Sequence, residues 1–257
     1  MKYSELTSPA LGELAPKLTA VFPLAATEQH GDHLPVITDT AIADEIARRV
    51  ETALSKEILL LPTLWCGSSH HHMGFPGTLS LRSETFVNVL MDLIESLIQT
   101  GFRRIFLLNC HGGNQTPFAE ALYRLNLKYQ GPGEPWIAAA SYWHLASSEL
   151  SAQTFMETPK LTHACEYETS LMMALRPDWI KGEPRSEGGR TIESEFFDPL
   201  NYTPSRVLVS RAFDQISSNG ALGSPEKATV EKGRQLYPLI TTAIVNFLRE
   251  FATWKLL

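Results

Sequence analysis

Residues 25–40, AATEQHGDHLPVITDT, place Glu28, His30, His33 and Asp39 directly behind the apolar run LTAVFPL. Two later segments have the same character: NCHGGNQ carries His111, and HACEYETS carries His163, Glu166 and Glu168. Carboxylates and neutral imidazoles without a thiolate suit zinc, manganese and similar divalent ions, and iron accepts the same donors. In extended chain, side chains two apart point the same way, so Glu28 and His30 can face one site together. His163 and Glu166, three apart, share a face if their segment is helical, whereas Glu168 points nearly opposite to Glu166. That spacing favours Glu166 as the partner of His163 and leaves Glu168 to anchor a ligand histidine from behind. The expected ligand set is therefore Glu28, His30, Asp39, His111 and Glu166. A closed structural zinc takes four ligands, so five donors rich in carboxylate fit better two ions sharing a bridging aspartate. Such a pair, about 3.5–4 Å apart, polarises a carbonyl and generates hydroxide at neutral pH.

Each of these residues has a plainer reading as well. Asp39 suits a helix N-cap. Gly112 and Gly113 beside His111 suit an anion-binding turn at a helix start, although no GK(S/T) sequence accompanies them to make a P-loop. The internal run His70-His71-His72 reads as a substrate-cavity or subunit-contact loop. Cys110 and Cys165 flank the motifs as small buried hydrophobes without a chemical role.

The elements that must position these groups alternate. Apolar runs at 18–25, 57–64, 103–109 and 135–141 predict buried strands, and 3.6-residue periodicity predicts helices over 40–54, 83–101, 116–130 and 163–175. Ser83 and Gly101 mark the two ends of the second helix. Residues 176–224 predict loops with a hairpin, and a long helix over 224–251, with Gly233 and Pro238 as kink points, closes the chain. Alternation of this kind implies an α/β protein: a three-layer α/β/α sandwich with a mostly parallel sheet, as a single domain over residues 1–257. In such a sheet the carboxyl ends of the strands share one edge, where ligands bind. Glu28, His30 and His111 all follow strands and therefore meet there.

Composition narrows the function. With 257 residues, a net charge of −6 and 19% charged residues, the chain lacks the basic patch of a nucleic-acid binder. No apolar run reaches the roughly 18 residues of a membrane-spanning helix. The first residues lack the apolar stretch of a secretory signal, and three dispersed cysteines form no disulfide framework. A cytoplasmic location is expected.

Taken in order, TEQHGDHLP, TD at 38–39, GFPGT at 74–78, NCHGGN, SYW at 141–143 and HACEYETS resemble the creatininase (creatinine amidohydrolase) family. The resemblance implies an α/β sandwich, a dinuclear zinc or manganese site, hydrolysis of cyclic or linear amides, and assembly as a hexamer. It implies that Glu28 and His30 each hold one ion, that Asp39 bridges, and that His111 completes the first ion's shell. His163 matches a histidine that passes a proton to the leaving nitrogen. Creatinine-cleaving members carry Tyr and Glu directly after the histidine that matches His111, where this chain has Gly112 and Gly113. Glu166 is the natural substitute for that lost ligand. They also place Trp-Asp shortly before the proton-shuttling histidine, where Pro159 and Lys160 stand here. Both departures argue against creatinine as the substrate. The glycine version resembles formamide hydrolases of flavin and deazaflavin precursor synthesis and peptide-trimming enzymes of redox-cofactor maturation. The expected protein is a homo-oligomeric amidohydrolase acting on a small-molecule amide, with metal-bound hydroxide as nucleophile and His163 and Glu166 as catalytic groups. A non-catalytic, metal-stabilised binding protein is the alternative.

Overall fold

Thr19–Leu24 (β1) is buried along its whole length, as a strand covered on both faces must be. The computed structural model describes residues 1–187, 194–196, 206–207 and 209–256. Four strands, β1, Ile58–Leu60 (β2), Arg104–Asn109 (β3) and Trp136–Ser141 (β4), form one sheet in the order β2-β1-β3-β4, parallel at every pairing. Alternation along the strands divides the core into two layers. Val21, Phe106 and Leu108 face Thr38–Ala53 (α2), Glu166–Leu175 (α7) and Val230–Thr253 (α8) through Ile42, Ile46, Leu171, Leu236 and Ile240. Ala20, Phe22, Ile105 and Leu107 face Ser8–Leu14 (α1), Ser83–Thr100 (α3) and Gln115–Lys128 (α4) through Leu11, Phe86, Leu90 and Leu125. Short helices Tyr142–Leu145 (α5) and Ser147–Ala152 (α6) follow β4. The expected α/β sandwich is present. Among the described residues no helix is long and apolar enough to cross a membrane.

Three expectations are corrected. The second strand ends at Leu60 rather than Leu64, because Pro62 has no N–H to continue the ladder. Leu61 and Leu64 still donate to the carbonyls of Val21 and Pro23, both at 2.9 Å, so the chain follows β1 irregularly. Ser83 is the first residue of α3 rather than its cap, and no side chain caps that end; Gly101 does close it, at φ +109°. The closing helix begins at Val230, capped by Thr229, and runs through Pro238. Part of the region expected to form a hairpin lies outside the described residues.

The apposition of α7 and α8 depends on Gly233, where a Cβ would overlap the carbonyl oxygen of Ser170. Helix propensity alone would favour alanine there by about 1 kcal/mol, whereas overpacking a close contact costs about 1–3 kcal/mol. Gly233→Ala is therefore expected to lower the urea midpoint, and an increase would show that the two helices have room to separate.

Candidate metal centre

β1 lies between β2 and β3, and the chain leaves it first for one neighbour and later for the other. The carboxyl ends of β1 and β3 are thus the topological switch point of the sheet, where a crevice opens. Residues 25–39 leave β1 there, and His111 leaves β3 beside them. Glu28, His30, Asp39, His111 and His163 are all buried, at 3% exposure or less.

The arrangement centres on Asp39. Its Oδ1 lies 3.1 Å from His30 Nε2, and its Oδ2 lies 3.1 Å from His111 Nδ1. Glu28 Oε1 lies 3.2 Å from His111 Nδ1, 3.3 Å from His72 Nε2 and 3.6 Å from His163 Nδ1. The two inner imidazoles are held from behind. His30 Nδ1–H donates to the main-chain oxygen of Glu28 at 3.1 Å, and His111 Nε2–H donates to that of Ser68 at 3.1 Å. Carbonyl acceptors fix these tautomers and turn the other ring nitrogen toward the carboxylates, as for metal-binding histidines. Asp39 occupies the first turn of α2, where the positive helix end favours a carboxylate, but it makes no capping hydrogen bond. The N-cap reading of Asp39 is set aside.

Glu166 requires a correction. The helix begins at residue 166, so His163 is not on it and a helical i,i+3 relation between the two does not exist. Ala164 takes φ +50° and Cys165 is extended, which turns the chain between His163 and the helix. Both oxygens of Glu166 are engaged elsewhere: Lys232 Nζ at 2.6 Å, the Glu157 N–H at 3.0 Å, and the Thr158 N–H and hydroxyl. Glu168 takes the inner position instead. Its Oε2 accepts from the Ala164 N–H at 2.5 Å, a reach-back from the third helical residue like that of a capping box. One ligand atom each from His30, His163 and Glu168 then lie within 4.8 Å of one another.

Electrostatics state what this cluster needs. Burial disfavours charge on His30, yet Asp39, backed by Glu168 and Glu28, carries its pKa up to about 9. Burial likewise opposes charge on His111, but Glu28 and Asp39 hold it well above the ordinary imidazole value. Burial lifts Glu168 to about 8, with Asp39 and Glu28 adding to the effect and His30 opposing it. Metal-free, the cluster compensates its buried carboxylates with protons. Even so, Glu28 Oε2 and Asp39 Oδ2 are buried without an aligned hydrogen bond. Buried carboxylate oxygens left in that state suit a cation, so these donors fit a divalent metal centre.

The family model for creatininase, creatinine amidohydrolase, matches residues 4–248. The chain belongs to the creatininase family. It is 29% identical over 245 residues to the mycofactocin precursor peptide peptidase of Mycobacterium ulcerans, covering 89% of this chain and 87% of that protein. It is 28% identical over 242 residues to the creatinine amidohydrolase of Pseudomonas putida, covering 90% and 88%. A manganese form of creatininase superposes with a TM-score of 0.77 at 25% identity, covering 97% of each chain. A creatininase variant of Zn-Zn type gives 0.76, also at 25% identity and covering 97% of each. Creatininase-family amidohydrolase is thus the class of the chain, and divalent metal binding accords with both structures.

Within that family the second of the two glycines, Gly113, has a steric explanation. A Cβ on Gly113 would overlap the Ser68 carbonyl, His111 Nε2 and the His71 ring, so the loop after β3 packs directly against residues 67–72. A glutamate side chain has no place there, and Gly113 serves close packing rather than an anion cradle. The His70–His72 run, read only as a cavity or contact loop, supplies two imidazoles to the cluster. His71 stacks on His111 with ring centroids 5.7 Å apart, and His72 lies against His163 at 4.4 Å. Gln29, for which the sequence offers no signal beyond its place between Glu28 and His30, reaches between His72 and His163. His33 turns away, its Nε2 meeting Thr169 Oγ1 at 2.8 Å, and burial with the nearby His30 charge lowers its pKa to about 4. A larger cavity of about 630 Å³ lies over α4 and the start of β4, lined by residues such as Tyr123, Tyr129 and Trp136, without imidazole or thiol.

Three expected outcomes follow from this geometry and its charges. Glu168→Gln should weaken zinc binding at least about tenfold, read by equilibrium dialysis. Glu166→Gln should leave zinc binding intact but cost roughly 2 kcal/mol in urea unfolding, below the usual cost of breaking a buried pair because Lys232 keeps Glu157. The opposite pattern would restore Glu166 as the ligand. Because His30, His111 and Glu168 hold protons at pH 7, zinc loading should release protons there, and less as pH rises through about 8 and about 9. Calorimetry in buffers of different ionisation heat measures this; uptake, or no release, would contradict the charge state described.

Proposed function

We propose that the chain is a metal-dependent amidohydrolase that cleaves the C–N bond of a small cyclic or linear amide. The observation that carries this reading is Asp39, one oxygen toward His30 and the other toward His111. That placement supports two divalent ions, zinc or manganese, with Glu28, Asp39 and His111 around one and His30, Asp39 and Glu168 around the other. When bound, such ions acidify a water and polarise an amide carbonyl.

The chain's own residues handle the proton. His163 Nε2–H donates to the main-chain oxygen of Gln29 at 2.8 Å, which leaves Nδ1 bare and facing Glu28. Burial holds this imidazole well below its ordinary pKa, and the bare Nδ1 is placed to accept a proton. Nδ1 takes the proton from the attacking water and returns it to the departing nitrogen. Trp143 and Leu161 join the ionisable residues in lining the cleft beside His163, which helps exclude water from the reacting centre. Glu166 has no part in this sequence, since both its oxygens are engaged.

Likeness to the mycofactocin precursor peptide peptidase supports a peptide amide as a second substrate class. A homo-oligomer, hexameric by family resemblance, a cytoplasmic setting and a single domain over residues 1–257 belong to the same reading.

The test is the full chain reconstituted with zinc or manganese and assayed on creatinine, N-formyl amines, lactams and short peptides. Turnover of at least one, abolished by chelation and restored by metal, is expected. His163→Ala should lower kcat by about 10²–10⁴-fold with metal content unchanged. A fully metal-loaded protein inert on every amide would overturn the reading in favour of a metal-stabilised binding protein.

A further inference from the structure

Gln29 has side-chain orientation and hydrogen positions that the backbone alone determines. Its Oε1 accepts from the Gly31 N–H at 2.9 Å, and its Nε2 donates to the Gly220 carbonyl at 3.1 Å. A main-chain N–H can only donate and a carbonyl can only accept, so the amide cannot be flipped. The second hydrogen of Nε2 then points to His72 Nδ1, 2.7 Å away. His72 Nδ1 must be bare, and its proton resides on Nε2. The remaining short approach, Gln29 Nε2 to His163 Nε2 at 3.1 Å, joins two donors and is not a hydrogen bond, because His163 directs that N–H to the Gln29 main-chain oxygen.

His72 is 1% exposed at its side chain, and Nε2 makes no hydrogen bond. It points into the cluster, 3.3 Å from Glu28 Oε1. A buried N–H without an acceptor, aimed into a reaction site, is a donor in reserve. The protonated Nε2 also cannot bind a metal, although His72 lies close enough to Glu28 and His163 to resemble a ligand.

We propose that His72 is a catalytic hydrogen-bond donor to the carbonyl oxygen of the amide substrate, and that Gln29 is the positioning residue that fixes it in the donating form. The proposal rests on the amidohydrolase reading above. As water adds to the carbonyl carbon, negative charge collects on its oxygen, and the Nε2–H bond to that oxygen strengthens while the proton stays on nitrogen. One residue thereby sets two imidazoles in complementary states. The Gln29 side chain makes His72 a donor, and its main-chain carbonyl makes His163 an acceptor.

The zinc-loaded full chain with ¹⁵N-labelled histidine tests this. The His72 ring is expected to carry hydrogen on Nε2 and none on Nδ1, and Gln29→Glu, which replaces the donor by an acceptor, should move the proton to Nδ1. Zinc stoichiometry should be unchanged in His72→Phe. On an amide that the unaltered protein hydrolyses, Gln29→Glu and His72→Phe should each lower kcat roughly 10²-fold with KM little changed. His72→Gln, which keeps an N–H near the same place, should recover part of the loss. Hydrogen on Nδ1 in the unaltered protein, zinc lost from His72→Phe, or full kcat in that variant would overturn the proposal while leaving the amidohydrolase reading in place. An absence of turnover in the unaltered, zinc-loaded protein would defeat the amidohydrolase reading itself, and the substrate role of His72 with it.

Discussion

Three carboxylates, Glu28, Asp39 and Glu168, are gathered out of water at the ends of two adjacent strands. Like charges in a low-dielectric setting repel strongly, and each also loses its hydration. Such a group persists only if positive charge enters with it, as protons on neighbouring imidazoles or as a cation. The apolar sandwich supplies the frame: every central strand is covered on both faces, so polar chemistry is confined to the strand ends. The carbonyls of Glu28 and Ser68 then orient His30 and His111 from behind. Frame, orientation and charge thus serve one electrostatic requirement.

Helix α7 shows how closely two duties can be packed. Glu166 and Glu168 are two residues apart and point to different sides of the same first turn. Glu166 joins Lys232 of α8 and the 157–158 segment, tying the helix start to the rest of the outer layer. Glu168 faces the centre and holds the Ala164 amide. The residue that secures the helix is therefore distinct from the one that faces the buried cluster, although their types are identical.

That division also explains what could be read from the chain and what could not. Strand and helix positions follow from local periodicity, and the meeting of Glu28, His30 and His111 follows from parallel-strand topology. Neither inference needs side-chain detail. The choice between Glu166 and Glu168 depended on whether His163 was helical, and that was settled by a left-handed Ala164, a conformation no periodicity announces. The shortened β2 was legible in principle, since Pro62 lacks the needed N–H. The inward turn of His71 and His72 was not, because it arises from loop-on-loop packing against Gly113, a contact between segments over 40 residues apart. Gln29 escaped notice for a similar reason: an amide has no chemistry of its own until its neighbours are known.

Phe213 rests on the rings of His71, His72 and His163, with the closest centroids 4.0 Å apart. It comes from a stretch that follows all the donor residues in the chain and packs with Ile216, Leu222 and Phe75 as a small apolar cluster separate from the two main core layers. This ceiling gives the centre a hydrocarbon contact but no donor atom. A different apolar side chain at this ceiling would reshape the space above the imidazoles and leave the electrostatic balance beneath it as it is.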